Sequence, residues 1–193
     1  VKTVIPNPVS TSITSLTAGG NNFTVKWNEV TSNASGYQIY YATKSDFSNA
    51  KKVYVSGAET VSRKCKGLTA GTKYYVKVRT YTEVEDTKYY SAWSPVKTVI
   101  PNPVSTSITS LTAGGNNFTV KWNEVTSQVT GYQIYYSRNK TSGYKKLTNT
   151  AATSGTYAFV NGTTYYIRVR AYTKVSGGYV YGGFSPVKAV NVK

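Results

Sequence analysis

Leu68-Thr69-Ala70-Gly71-Thr72-Lys73-Tyr74-Tyr75-Val76-Lys77-Val78-Arg79-Thr80-Tyr81 decides the fold. A Gly-Thr turn runs without a break into alternating residues, which puts Tyr74, Val76 and Val78 on one face and Tyr75, Lys77, Arg79 and Tyr81 on the other. Period two is the signature of a strand with one buried face. Working outward, Phe23, Val25 and Trp27 alternate with Thr24, Lys26 and Asn28. The preceding Gly19-Gly20-Asn21-Asn22 is a turn signal, so residues 12–17 and 22–27 are predicted to form a hairpin. Gly36 opens a third alternating run with Tyr37, Ile39 and Tyr41 on one face. A short strand is expected at 52–55, and a polar turn at 83–87 reverses the chain into a final strand over 88–98. About seven short, evenly spaced strands predict an all-β sandwich.

The chain holds this pattern twice. Residues 1–32 and 96–127 are the same 32-residue string, VKTVIPNPVSTSITSLTAGGNNFTVKWNEVTS, displaced by 95 positions. A unit of that length is the size of one small domain, so two domains in series are expected, over 1–100 and 101–193. The opening VKTVI reads as the tail of a preceding copy, which predicts a piece cut from a longer array. Between the units stands Ile100-Pro101-Asn102-Pro103. Two prolines in four residues fix φ and favour extended backbone, which predicts restricted swing.

Composition narrows the function classes. Tyr is abundant, at 19 residues against 5 Phe and 3 Trp, and no apolar run is long enough to span a bilayer as a helix. The net charge is +16: 13 Lys/Arg against 6 Asp/Glu up to residue 100, and 10 against Glu124 alone beyond it. Such a balance attracts polyanions in general without choosing among them. There is no His and one Cys, so an intrachain disulfide and a Cys-based metal cluster are excluded. The alternation Val61, Arg63, Cys65 makes Cys65 a small buried strand residue, with Thr156 expected at its place in the second unit. Glu83, Glu85 and Asp86 are the only acid cluster. On an exposed hairpin tip they read as a solvated turn rather than a cation site or a hydrolytic carboxylate pair. No catalytic residue, metal ligand or cofactor site is expected. Five Asn-x-Ser/Thr triplets, beginning with Asn22-Phe23-Thr24, read as turn and strand residues.

Taken together, Trp27, Tyr37-x-Ile39-x-Tyr41, Leu68-x-x-Gly71-Thr72-x-Tyr74 and Ser94-Pro95 resemble a fibronectin type III module. Trp122, Tyr132-x-Ile134-x-Tyr136, Phe159-x-x-Gly162-Thr163-x-Tyr165 and Ser185-Pro186 repeat the pattern in the second unit. The chain thus resembles the tandem modules of extracellular proteins of Gram-positive bacteria. The resemblance implies two immunoglobulin-like sandwiches in series, with Tyr74 and Tyr165 as corner tyrosines whose hydroxyls bond nearby backbone, and Trp27 and Trp122 in the cores. It implies an extracellular or cell-wall location and a monomer. The family often has Pro where Ala70 and Asn161 stand, and no Arg-Gly-Asp triplet occurs.

Strand parity offers one binding constellation. The outward face of the third, sixth and seventh strands should present Gln38, Tyr40, Tyr75, Lys77, Arg79 and Tyr81. In the second unit it should present Gln133, Tyr135, Tyr166, Arg168, Arg170 and Tyr172, with Tyr90 and Tyr181 as neighbours. Rings beside cations suit a cell-wall or host polysaccharide or an anionic polymer. The same pairs also stabilise a solvent-facing sheet. A nucleic-acid partner is disfavoured because no recognised motif accompanies the face. The expectation is a non-catalytic structural or adhesion module, a semi-rigid spacer that meets another surface protein or a polysaccharide. The alternative is a polymer-binding module using the two faces.

Overall fold

The computed structural model describes residues 7–193, so the expectation for residues 1–5 lies outside the described residues. The described residues form strands and turns without a helix. They divide into two compact units, one of residues 7–18, 22–68 and 72–100 and the other of residues 19–21, 69–71 and 101–193.

In the first unit, β1 (Ile13–Gly19), β2 (Asn22–Trp27), β3 (Gly36–Ala42), β4 (Lys51–Ser56), β5 (Ser62–Lys66), β6 (Tyr74–Val84), β7 (Thr87–Tyr90) and β8 (Lys97–Val99) follow one another. One sheet has the order β1-β2-β5. The other has the order β4-β3-β6-β7, with β8 also on β6. The period-two residues close the space between them: Phe23, Val25 and Trp27 from one sheet meet Tyr37, Ile39, Val76 and Val78 from the other. Trp27 lies 5.1 Å from Tyr37, ring to ring.

The second unit repeats this layout as β9 (Ile108–Gly114), β10 (Asn117–Trp122), β11 (Gly131–Ser137), β12 (Lys145–Thr150), β13 (Ser154–Ala158), β14 (Thr164–Val175), β15 (Gly178–Tyr181) and β16 (Lys188–Asn191). Its sheets are β13-β10-β9 and β12-β11-β14-β15, with β16 on β14. Phe118, Val120, Trp122, Tyr132, Ile134, Ile167 and Val169 fill the core.

Each unit is a seven-stranded sandwich whose last strand is split. β7 and β8 occupy the same edge of β6, and serines bridge the gap between them. Ser91 and Ser94 donate their amides to Thr80 and Val78 carbonyls at 3.1 and 2.8 Å. Their hydroxyls accept the amides of Thr80 and Val78 at 3.1 and 3.0 Å. A hydroxyl stands where a strand carbonyl would, so the ladder's polar groups stay satisfied while the backbone is free of strand parity. Ser185 repeats the device at Val169, with bonds of 2.7 and 3.0 Å. Pro95 and Pro186, with no amide to donate, follow at once.

Register corrects one assignment. Cys65 is buried and pairs with Phe23, whereas Phe118 pairs with Tyr157, so Tyr157 and not Thr156 holds the place of Cys65. Gly67 is the cause. It is an extra residue between strand and corner, at φ 70°, so counting the same distance back from the second unit's corner overshoots by one position, to Thr156.

Candidate functional site

On the outward face of the first five-stranded sheet, aromatic rings and cations alternate. Lys77 Nζ lies 4.0 Å from the Phe47 ring centre and 4.7 Å from that of Trp93. The Arg79 guanidinium lies 4.3 Å from Trp93 and 3.7 Å from Tyr90. The order Phe47, Lys77, Trp93, Arg79, Tyr90 is therefore a ladder of five rungs. Beneath it Tyr40 packs on Trp93 at 4.5 Å, and the buried Gln38 accepts a hydrogen bond from Arg79 Nε at 2.8 Å.

The second unit builds the same object from other residues. Arg168 lies 3.9 Å from both Tyr144 and Phe184, and Arg170 lies 4.7 Å from Phe184 and 4.0 Å from Tyr181. Arg170 Nε donates to Gln133 Oε1 at 2.9 Å and its terminal nitrogen donates to the Tyr135 hydroxyl at 3.2 Å. The order is Tyr144, Arg168, Phe184, Arg170, Tyr181. Lys77 and Arg79 stand at successive outward positions of β6, which the Coulomb repulsion between them opposes. The rings' negative faces between the cations offset it.

Local folding delivers the rungs that strand parity does not supply. The serine-bridged break aims Trp93 and Phe184 outward between the cations. Phe47 comes from the β3–β4 loop at φ 61°, a left-handed conformation that a bulky side chain avoids. The loop secures it: the Phe47 amide donates to the Lys44 carbonyl at 3.2 Å, and its carbonyl accepts the Ala50 amide at 3.1 Å.

The environment shifts several groups. Burial, reinforced by Arg79, holds the Lys77 ammonium below the usual lysine range. Burial, with the Tyr54 hydroxyl bonded to it at 2.8 Å, pushes the Tyr90 phenol up to about 12. Tyr144 is raised by burial, partly opposed by Arg168.

The predicted face is thus partly assembled and partly corrected. Tyr40, Lys77 and Arg79 come together, as do Tyr135, Arg168 and Arg170. Tyr75 and Tyr166 lie at the far end, opposite Thr98 and Ala189, and among the described residues no ring or cation stacks on either. Tyr81 is not a surface residue: it is 2% exposed, held between Tyr54 at 5.8 Å and Tyr90 at 6.5 Å. Its counterpart Tyr172 is half-buried beside Tyr179 and Tyr181, at 5.6 and 6.5 Å. Phe47, Trp93, Tyr144 and Phe184 escaped sequence reasoning. The one signal for the middle rungs is an aromatic two residues before Pro95 and Pro186.

Glu83, of the acid cluster, pairs with Lys88, and Glu85 and Asp86 form the left-handed turn of the β6–β7 hairpin at φ 47° and 62°. Among the described residues no three His, Cys, Asp or Glu side chains group to hold a metal. Trp27 and Trp122 are core residues at 2% and 3% exposure. Tyr74 and Tyr165 are likewise buried, Tyr165 packing on Phe159 at 4.5 Å.

Paired sheets of three and five strands, with a split final strand on the larger, define both units as sandwiches of the fibronectin type III fold. The family model described as "Fibronectin type III domain" matches residues 7–97. A Kelch domain-containing protein of Saccharolobus solfataricus is 30% identical over 115 residues, which is 60% of this chain and 15% of that protein. The chain spans about one seventh of that relative's length. Among solved structures, a two fibronectin type III domain segment from chicken tenascin aligns with a TM-score of 0.52 at 18% identity, over 97% of this chain and all of that one. The chicken interferon gamma receptor alpha chain aligns with a TM-score of 0.59 at 11% identity, over 95% of this chain and 98% of that one. At such identities the likeness is one of fold.

Proposed function

We propose that this chain is a non-catalytic structural or adhesion module, a semi-rigid spacer that presents other domains of a secreted or surface-attached protein. The observation that carries the reading is the ladder. The face with the most chemical potential has its cations and rings stacked on one another in both units, which suits a stiffened sheet. The two prolines of Ile100-Pro101-Asn102-Pro103 support limited swing, since each fixes its own φ and restricts the residue before it. A Gram-positive bacterial cell wall is the location we infer from the family resemblance. Fibronectin type III domains occur often in extracellular proteins, and no helix of the described residues is long and apolar enough to cross a membrane.

Small-angle scattering tests the spacer. The unaltered chain should give a narrow distribution of maximum dimension, and Pro101→Gly with Pro103→Gly should broaden it. Equal breadth in both proteins removes the reading.

A further inference from the structure

The cations of the ladders are stacked on rings; other cations stand outside the ladders. The second unit holds a groove of about 550 Å³ beside the edges of β12 and β13, where the two sheets part. Its floor is Tyr136, Phe159 and Tyr165, set edge to face with centroids 4.9, 4.5 and 6.3 Å apart. Its rim carries Arg138 and Lys145. Neither has a carboxylate partner among the described residues, where the one ion pair is Lys88 with Glu83. Arg138 reaches over the floor, 5.8 Å from the Tyr165 ring centre.

The loop bearing Arg138 is braced from within. The Ser137 hydroxyl donates to the Ser142 carbonyl at 2.6 Å and accepts the Asn139 amide at 2.9 Å, and the Tyr144 hydroxyl donates to the Lys140 carbonyl at 2.9 Å. Tyr144 is also the outer rung of the ladder, so the stacked face steadies one wall of the groove. The corresponding cleft of the first unit, lined by Tyr41, Lys51, Leu68 and Tyr74, holds only about 120 Å³. Thr43 stands there in place of Arg138, and Leu68 in place of Phe159. A second opening of about 550 Å³, on the other side of Tyr41, is walled by Arg63, Lys64 and Lys66 and has no ring but Tyr41.

The geometry points to a binding site for an acidic sugar in the second unit's groove, the carboxylate of a uronic acid held between Arg138 and Lys145. Its volume falls in the range of ligand pockets, roughly 300–1,000 Å³. Guanidinium pairs with carboxylate in two parallel bonds, and the half-buried rings of Tyr136 and Phe159, above the buried Tyr165, offer apolar surface for the C–H side of a pyranose. This site is separate from the spacer reading and from the ladder faces.

Calorimetric titration of the whole chain with a hyaluronan octasaccharide tests it, in about 0.15 M salt, where exposed charges are screened beyond about 8 Å. Arg138→Thr with Lys145→Gln should weaken binding by about tenfold or more, the loss of a charge-assisted pair. Lys121→Gln with Lys188→Gln removes the same charge from strands away from the groove and should change affinity by less than about twofold, as exposed charges do. Phe159→Leu should weaken binding too. Absence of binding by the unaltered chain overturns the site, as does equal loss in both charge-matched pairs. Binding of octaglutamate with the same strength and the same sensitivity to Arg138→Thr also overturns it, because the groove would then recognise an acidic peptide. Thermal unfolding of the Arg138→Thr, Lys145→Gln protein should match the unaltered chain, both side chains being exposed.

Discussion

The Tyr37 hydroxyl accepts a hydrogen bond from the Val30 amide at 2.9 Å and donates one to the Ala58 carbonyl at 2.7 Å. One ring thereby ties the loop before β3 to the loop before β5; the ring is fully buried, and the Val30 bond is buried with it while the Ala58 bond is partly buried. Tyr132 keeps the first bond, accepting the Val125 amide at 2.8 Å.

Tyr37→Phe strands a buried amide and a carbonyl, so it should destabilise the first unit by about 1–3 kcal/mol. Tyr132→Phe, which strands one amide, should cost the second unit less. Urea unfolding of the two variants gives the comparison. No loss in either would show that neither tether matters, and equal losses would show that the Ala58 bond adds nothing.

The Arg79 and Trp93 pair should behave as one element. Leu in place of Arg79 and Ala in place of Trp93 should each destabilise, and the double change should cost less than the sum by about 0.5–1 kcal/mol, the strength of a cation–π contact at partial exposure. Additivity within error would mean that the ladder is proximity without coupling. The Arg170 and Phe184 cycle should give a similar figure.

Gly36 opens β3 where no side chain fits. A methyl there would stand 2.2 Å from the Val55 carbonyl oxygen and 3.0 Å from the Tyr81 hydroxyl. Gly36→Ala should therefore cost about 1–3 kcal/mol or more, as overpacking does. That is roughly 4–8 °C in Tm per kcal/mol for a domain of this size. Gly131→Ala meets the Thr150 carbonyl oxygen at 2.6 Å and should follow suit. An unchanged Tm in either would refute the packing argument.

Burial pushes the Cys65 thiol up to about 11 from an ordinary 9.0. The folded state therefore holds its proton more tightly than the unfolded state, and stability that is complete below pH 9 falls as pH rises to about 11. Cys65→Ala should flatten that part of the stability profile relative to the unaltered chain, measured by urea unfolding at each pH. Superimposable slopes would show that the thiol is not the source. Iodoacetamide should leave the folded chain unlabelled at pH 8, since the thiolate is the reactive form.

Much of the fold was legible because its information is local. Alternation at Phe23, Val25 and Trp27, at Tyr37, Ile39 and Tyr41, and at Tyr74, Val76 and Val78 is read directly as strand faces, and in each case those residues are buried. The candidate faces were half legible. Parity found Tyr40, Lys77 and Arg79, and Tyr135, Arg168 and Arg170, but it misjudged Tyr81, which points outward and is covered by Tyr54 and Tyr90.

The sequence by itself determined two sandwich domains, their strands and their core residues, because a strand's alternation is a property of the residues along it. Only the tertiary structure decided the ladders, the Tyr157 register and the Arg138 groove. Phe47, Trp93, Tyr144 and Phe184 leave segments without strand period, so their positions depend on serine bridges, a left-handed turn and neighbours dozens of residues away. Gly67 shifts a register by one residue, which no count along the chain detects until Phe23 and Phe118 are seen against their partners. A groove exists only where two sheets part, and that spacing is set by how both cores pack.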